Sequence, residues 1–204
     1  MSPSINPAAA AASELQACLE AEGFPFCFIG GLAVNRWGEP RYTQDADATV
    51  LTEFVHDEKL VDLLLANFQA RREDAREFAL RARVLLLFAS NGTPLDVALG
   101  ALEFEKNSIR RSSPWKYAEN VSIVTCSAED LVVHKAFASR EVDWLDVERI
   151  LQRQGASLNV RQIMAELNPL VEIKEDPTIL LRLKALMKKR GVIQSGWDPL
   201  TAQE

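Results

Sequence analysis

Apolar positions along the chain follow two rhythms. Between Asp57 and Phe68, the residues Leu60, Val61, Leu64, Leu65 and Phe68 share one stripe of a 3.6-residue repeat, which predicts an amphipathic helix. Phe24–Ile29 and Val84–Ala89 are short apolar runs, read as buried strands, and residues 45–51 alternate as a strand with one wet face. Asn91-Gly92 is a hairpin turn signal, with Pro94–Leu99 as its return strand. Ser13 opens a helical pattern through Leu15, Cys18 and Leu19 that stops at Gly23, so residues 1–12 are read as a flexible leader. Residues 101–111 fit a helix and 120–125 a last strand. From Ser127, which heads a capping-box-like Ser-Ala-Glu-Asp, the pattern is helical over 127–139, 143–154, 159–167 and 177–190, with breaks at Gly155, Pro169 and Gly191. The expected organisation is a mixed α/β core over 13–125 followed by a helical region over 126–204.

Composition narrows the class. The 204 residues are 48% hydrophobic, and 23 Lys+Arg against 29 Asp+Glu give a net charge of −6. Such a chain buries a real core, and it does not coat nucleic acid over its whole surface. Cys18, Cys27 and Cys126 are odd in number and form no CxxC pair, which argues against a disulfide framework and for a reducing compartment. The N-terminus carries no basic residue before Arg36, unlike a signal peptide, and the uncharged stretch ending there is shorter than the ~18 residues a membrane span needs. These features predict a soluble, cytoplasmic protein without a membrane partner.

Candidate chemistry concentrates in two stretches. In Phe28-Ile-Gly30-Gly31-Leu-Ala-Val, a glycine pair between a strand and a helix allows close backbone approach, and the new helix offers free N–H groups to an anion. Asp45 and Asp47 then lie two apart on a predicted strand, so both carboxylates face one side, where a hard divalent cation would relieve their repulsion. Asp96 stands among apolar residues in Pro-Leu-Asp-Val-Ala-Leu, where an unpaired carboxylate is costly and a shared metal would compensate it. No Gly-x-Gly-x-x-Gly and no lysine-containing phosphate loop is present, which excludes dinucleotide and P-loop sites.

The succession strand, Gly30-Gly31, helix, Asp45-x-Asp47 strand, helix, Asp96 strand resembles the DNA polymerase β-like nucleotidyltransferase superfamily. Within it the chain is most similar to the abortive-infection nucleotidyltransferase toxins, which share Arg41-Tyr-Thr43-Gln-Asp45-Ala-Asp47, a helical Glu129-Asp130-Leu131…Lys135 and Arg140…Asp143-x-x-Asp146. The resemblance spans about residues 24–150. It implies an α/β (α+β) fold, a mixed sheet flanked by helices, with a C-terminal helical bundle. It also implies transfer of a nucleoside monophosphate from NTP to an acceptor hydroxyl. Asp45 and Asp47 would hold Mg²⁺ on the triphosphate and Asp96 would join them at a second ion, with Mn²⁺ as a possible substitute. Gly30 and Gly31 would receive phosphate on their backbone, and Lys135, with Arg36 and Arg41 as lesser candidates, would contact it. Asp143 would orient Lys135 or contact substrate. Many superfamily members carry Gly-Ser where this chain has Gly30-Gly31. The expected acceptors are RNA, a protein or a small alcohol, with an antitoxin as a further partner. The alternatives are a non-catalytic nucleotide-binding or toxin–antitoxin partner protein and an aminoglycoside-type nucleotidyltransferase. A glycosyltransferase would use Asp-x-Asp but needs neither the glycine pair nor Asp96. For an RNA acceptor the basic residues on offer are Arg71, Arg72, Arg76, Arg81 and Arg83, then Arg110, Arg111 and Lys116, and Lys184, Lys188, Lys189 and Arg190 near the C-terminus.

Overall fold

The structure is a computed structural model, and it describes residues 6–194. Residues 1–5 of the expected leader and Trp197 lie outside the described residues. The chain divides into two units: residues 1–32 with 41–126, and residues 33–40 with 127–204.

The first unit opens with helix α1 (Pro7–Ala21). This corrects the leader reading for residues 7–12. Asn6 caps the helix by accepting a hydrogen bond from the Ala8 backbone N–H at 2.8 Å, and Pro7 occupies the first turn, where its missing N–H is not needed. Ala8, Ala9, Ala11 and Ala12 are all buried. Small residues on several sides of a helix produce no amphipathic stripe, yet alanine favours helix and lets the backbone approach a sheet closely.

Seven strands form one sheet in the order β3-β4-β5-β2-β1-β7-β6: β1 (Phe26–Phe28), β2 (Ala46–Leu51), β3 (Gln69–Ala70), β4 (Val84–Phe88), β5 (Pro94–Gly100), β6 (Ser113–Ala118) and β7 (Val121–Thr125). β2 runs parallel to β5 and β1 parallel to β7, while the other neighbours are antiparallel. One face carries Phe28, Ala46, Ala48, Val50, Leu85, Leu87, Leu95, Val97 and Leu99 into a single core, covered by α1, α3 (Asp57–Asn67) and α4 (Ala75–Ala82). The alternate residues of β2 and β5, Asp47 and Asp96 among them, therefore project from the opposite face. There α5 (Glu103–Arg110) packs against β1 and β2, with Ser108 beside Cys27. The strands β3 and β6 and the helix α4 escape the sequence reading, because the charged stretch before Val84 hides a short helix. Arg83 ends that helix in the left-handed region (φ 57°) and ties the turn down, donating to the Leu99 carbonyl and to Asp57.

Helix α2 (Gly30–Trp37) begins in the first unit and ends in the second. The second unit otherwise contains α6 (Ala128–Ala138), α7 (Glu141–Gln154), a single 3-10 turn, α8 (Val160–Lys174) and α9 (Thr178–Lys189). Ser127 caps α6 as expected, accepting from the Asp130 N–H at 3.1 Å. Pro169 does not break the chain but sits inside α8. A proline forfeits one backbone hydrogen bond, and burial of Ile163, Met164, Leu167, Leu170 and Val171 along that helix offsets the loss. Among the described residues no helix is long and apolar enough to cross a membrane, and Cys18, Cys27 and Cys126 form no disulfide.

Candidate nucleotide-transfer site

The register of the sheet assembles the first part of the site. Asp47 of β2 and Asp96 of β5 are directly opposed partners in the parallel ladder. Opposed residues on adjacent strands lie about 5 Å apart and present side chains to the same face, here the one turned away from the core. Ile29 donates its N–H to the Asp47 carbonyl at 2.9 Å, so the β1–α2 turn is fastened to the same residue.

The glycine pair has a steric reason visible in the fold. Gly30 adopts φ +61°, and a β-carbon there would lie 1.8 Å from Asp47 Oδ2. A β-carbon on Gly31 would lie 2.2 Å from Thr43 Oγ1. The Asp47 carboxylate and the Thr43 hydroxyl thus rest against the bare backbone of the turn. Thr43 is buried and donates to Asp45 Oδ1 at 3.1 Å, which orients the first carboxylate of the Asp-x-Asp pair. Asp45 itself precedes β2 by one residue. Arg41 is half-buried in the extended segment leading to it. Thr43 thus bridges the glycine turn and Asp45, a placement that its spacing in the sequence does not reveal.

Asp96 is not left to a cation from solution. Arg71 Nη1 reaches Asp96 Oδ1 at 2.5 Å, and the same guanidinium lies 5.7 Å from the ring centre of Phe88. Among the described residues no group of three His, Cys, Asp or Glu side chains is assembled closely enough to hold a metal ion. The expected cluster of Asp45, Asp47 and Asp96 around metal is therefore not closed. Asp45 and Asp47 are hard oxygen donors at the start of β2, set against the side-chain-free Gly30-Gly31 turn, and such donors suit an ion that takes few protein carboxylates.

The remaining candidates belong to the second unit. Lys135 of α6 is 7% exposed, and its Nζ lies 3.0 Å from Asp143 Oδ1 and 3.0 Å from Asp146 Oδ2 of α7. Both aspartates are fully buried. Arg140 adds a hydrogen bond to Asp143 Oδ2 at 2.6 Å. Burial pushes the Asp143 carboxyl up, but the hydrogen bonds from Arg140 and Lys135 outweigh it and hold the group below its ordinary range. His134, adjacent in sequence, is pushed down to about 4, chiefly by burial. Arg36 stacks its guanidinium 4.1 Å above the Trp37 ring.

No family model and no curated sequence matches the chain. The chain is similar at low identity to several solved structures. The antibiotic-resistance factor ANT(2'')-Ia is 13% identical with a TM-score of 0.53, over 82% of this chain and 92% of its own. An antigenic nucleotidyltransferase-like protein from Paracoccidioides brasiliensis is 15% identical with a TM-score of 0.48, over 87% and 92%. The lincosamide antibiotic adenylyltransferase LnuA in its lincomycin-bound form is 14% identical with a TM-score of 0.47, over 69% and 94%. The likeness to ANT(2'')-Ia is one of fold: a mixed sheet with flanking helices.

Proposed function

We propose that the protein is a metal-dependent nucleotidyltransferase that moves a nucleoside monophosphate from NTP to an acceptor hydroxyl. The observation that carries this reading is the opposition of Asp47 and Asp96 across β2 and β5, beside a glycine turn whose bare backbone receives the Asp47 carboxylate. Asp45 and Asp47 would hold the ion that accompanies the triphosphate, with Thr43 orienting Asp45. Magnesium, when bound, supplies positive charge to the triphosphate. The N–H groups at the start of α2 receive phosphate oxygens. Asp96 accepts the proton of the acceptor hydroxyl while the acceptor oxygen bonds to the α-phosphorus and the bond to pyrophosphate breaks. Asp143 and Asp146 orient the Lys135 ammonium, and the motif resemblance makes Lys135 the phosphate contact, with Arg36 and Arg41 as lesser ones.

The acceptor is a small alcohol or a protein side chain rather than RNA. Six of the twelve basic groups on offer for RNA are already engaged in ion pairs: Arg71 on Asp96, Arg72 on Asp74, Arg76 on Glu58 and Asp62, Arg83 on Asp57, Lys189 and Arg190 on Glu148. A toxin role and an antitoxin partner rest on the motif resemblance alone. The test is incubation with each α-labelled NTP, with and without Mg²⁺, against cell RNA, cell protein and aminoglycoside-type alcohols. Label should move to an acceptor only with Mg²⁺ and not with Asp47→Asn. No transfer from any NTP to any acceptor removes the reading, and transfer to RNA alone overturns the acceptor assignment.

A further inference from the structure

We propose that the turn between β2 and α3, with the cavity beside it, forms a two-fold interface between copies of this chain, in which Phe54 of each copy enters the cavity of the other. The surface lies at the end of β2 away from Asp45 and Asp47, and it goes beyond the transfer reading.

The projecting turn is built rather than loose. Past the end of β2 at Leu51, Glu53 and Phe54 both adopt left-handed backbone, with φ 49° and 65°. Two such residues in succession, neither of them glycine, are strained, and a bulky phenylalanine gains nothing locally from that conformation. The Gly100 carbonyl holds the turn, accepting from the Thr52 N–H at 3.0 Å, the Glu53 N–H at 3.2 Å and Thr52 Oγ1 at 3.2 Å. Lys106 pairs with Glu53 at 3.1 Å, and the His56 N–H returns to the Thr52 carbonyl at 3.0 Å. What the turn delivers is Phe54 at 66% exposure and Val55 at 81%, the Phe54 ring lying 4.2 Å from the Arg83 guanidinium. Neighbouring apolar residues fixed in water by a strained turn are the mark of a contact surface.

The hole is on the other flank of the same turn. β2 has β5 on one side and β1 on the other. Arg83, bonded to the Leu99 carbonyl of β5, supports Phe54 on the first side, and Phe24 and Pro25, which lead into β1, line a cavity of about 300 Å³ on the second. Leu51 completes its apolar lining, and Glu22, Glu53, His56 and Lys59 are its polar groups. That volume is at the lower limit of small-molecule pockets and suits one aromatic side chain better than a nucleotide. A projection and a hole side by side are exchanged by a two-fold axis running between them, so each copy fills the other's cavity. The charges agree with this occupant. The lining carries both signs, and reversal about the axis sets Lys59 of one copy against Glu22 of the other, whereas a lining of one sign would repel its own copy.

Sedimentation equilibrium of the full chain tests the interface. At about 100 μM the wild type should approach twice its 22.7 kDa mass, and dilution to about 1 μM should return it to monomer. Phe54→Asn, a residue that tolerates left-handed backbone, should weaken association at least tenfold. Val55→Asp should weaken it as well and serves where Phe54→Asn fails to fold, which thermal melting reports. Lys59→Glu should also weaken association, and Lys59→Glu with Glu22→Lys should restore it. A wild type that stays at monomer mass throughout, or a dimer that persists unchanged in a folded Phe54→Asn or Val55→Asp chain, overturns the interface. A double charge exchange that associates no better than Lys59→Glu overturns the two-fold pairing. Nucleotide transfer has no part in this readout, so its failure and that of the interface are separate results.

Discussion

The Asp47 carboxylate occupies the space that a β-carbon on Gly30 would need, with Oδ2 1.8 Å from that position. The glycine is therefore required twice, by its backbone angle of φ +61° and by the side chain facing it. Gly30→Ala is expected to lower stability by about 2 kcal/mol or more, from left-handed strain and displacement of the carboxylate. Removing the opposing side chain should return part of the loss, so Gly30→Ala with Asp47→Gly should be less destabilised than the sum of the single changes. Urea unfolding of the four proteins checks this, and strict additivity would show that the two residues are not in contact.

Gly31 makes a separate case, because a hydroxyl and not a carboxylate faces it from across the turn. Thr43 Oγ1 lies 2.2 Å, and Thr43 Cβ 2.8 Å, from where a Gly31 β-carbon would sit. Restoring the Gly-Ser pattern with Gly31→Ser is therefore expected to lower the melting temperature by several degrees, about 1–2 kcal/mol. Gly31→Ser combined with Thr43→Gly should melt higher than Gly31→Ser alone. The comparison of melting curves decides it; a Gly31→Ser chain as stable as the wild type would mean that Thr43 moves aside freely.

Much of this site was legible from residue order alone. The glycine pair, Asp45, Asp47 and Asp96 announce themselves because each breaks the local pattern: glycines where a helix starts, carboxylates inside strands. Thr43 and Arg71 do not. A threonine before a strand and an arginine in a charged stretch are locally ordinary, and their roles arise from register across the sheet, which no spacing encodes. The fold shows the same division. Periodic helices such as α3 are visible as stripes, whereas the first turns of α1, Pro7 to Ala12, carry no polar residue to reveal them. Pro169 was read as a break because the local penalty is known and the burial that overrides it is not.

The buried ion cluster of the second unit gives a stability prediction. Lys135 stands between Asp143 and Asp146, both fully buried, whereas Arg140 is 72% exposed at its side chain. Lys135→Met leaves two carboxylates without their shared buried cation and is expected to destabilise by about 3–5 kcal/mol. Arg140→Ala removes a partner that water partly replaces, and its effect should stay near 1 kcal/mol, the scale of exposed ion pairs. Denaturant midpoints of the two variants rank them, and equal effects would show that Lys135 is not the central charge.

His134 provides a pH signature of the same unit. Its folded pKa is pushed down to about 4 from 6.5, with burial as the main cause, a smaller upward pull from Asp130 and a further push down from Lys135. Above pH 6.5 the ring is neutral in both states and has no effect on the pH slope. As pH falls from 6.5 toward 4 the unfolded chain takes up a proton that the folded chain refuses, so stability declines, by at most about 3 kcal/mol for this group. Below 4 its contribution is flat. Asp57 and Asp143, whose carboxyls are lowered by their arginine and lysine partners, lose their stabilisation only below the ordinary carboxylate value of 3.8, in a separate window. His134→Gln should therefore flatten the stability profile between pH 6.5 and 4 and leave the steeper loss below it in place. Chemical denaturation at half-unit pH steps reads the difference, and an undiminished slope in that window would assign it to other groups.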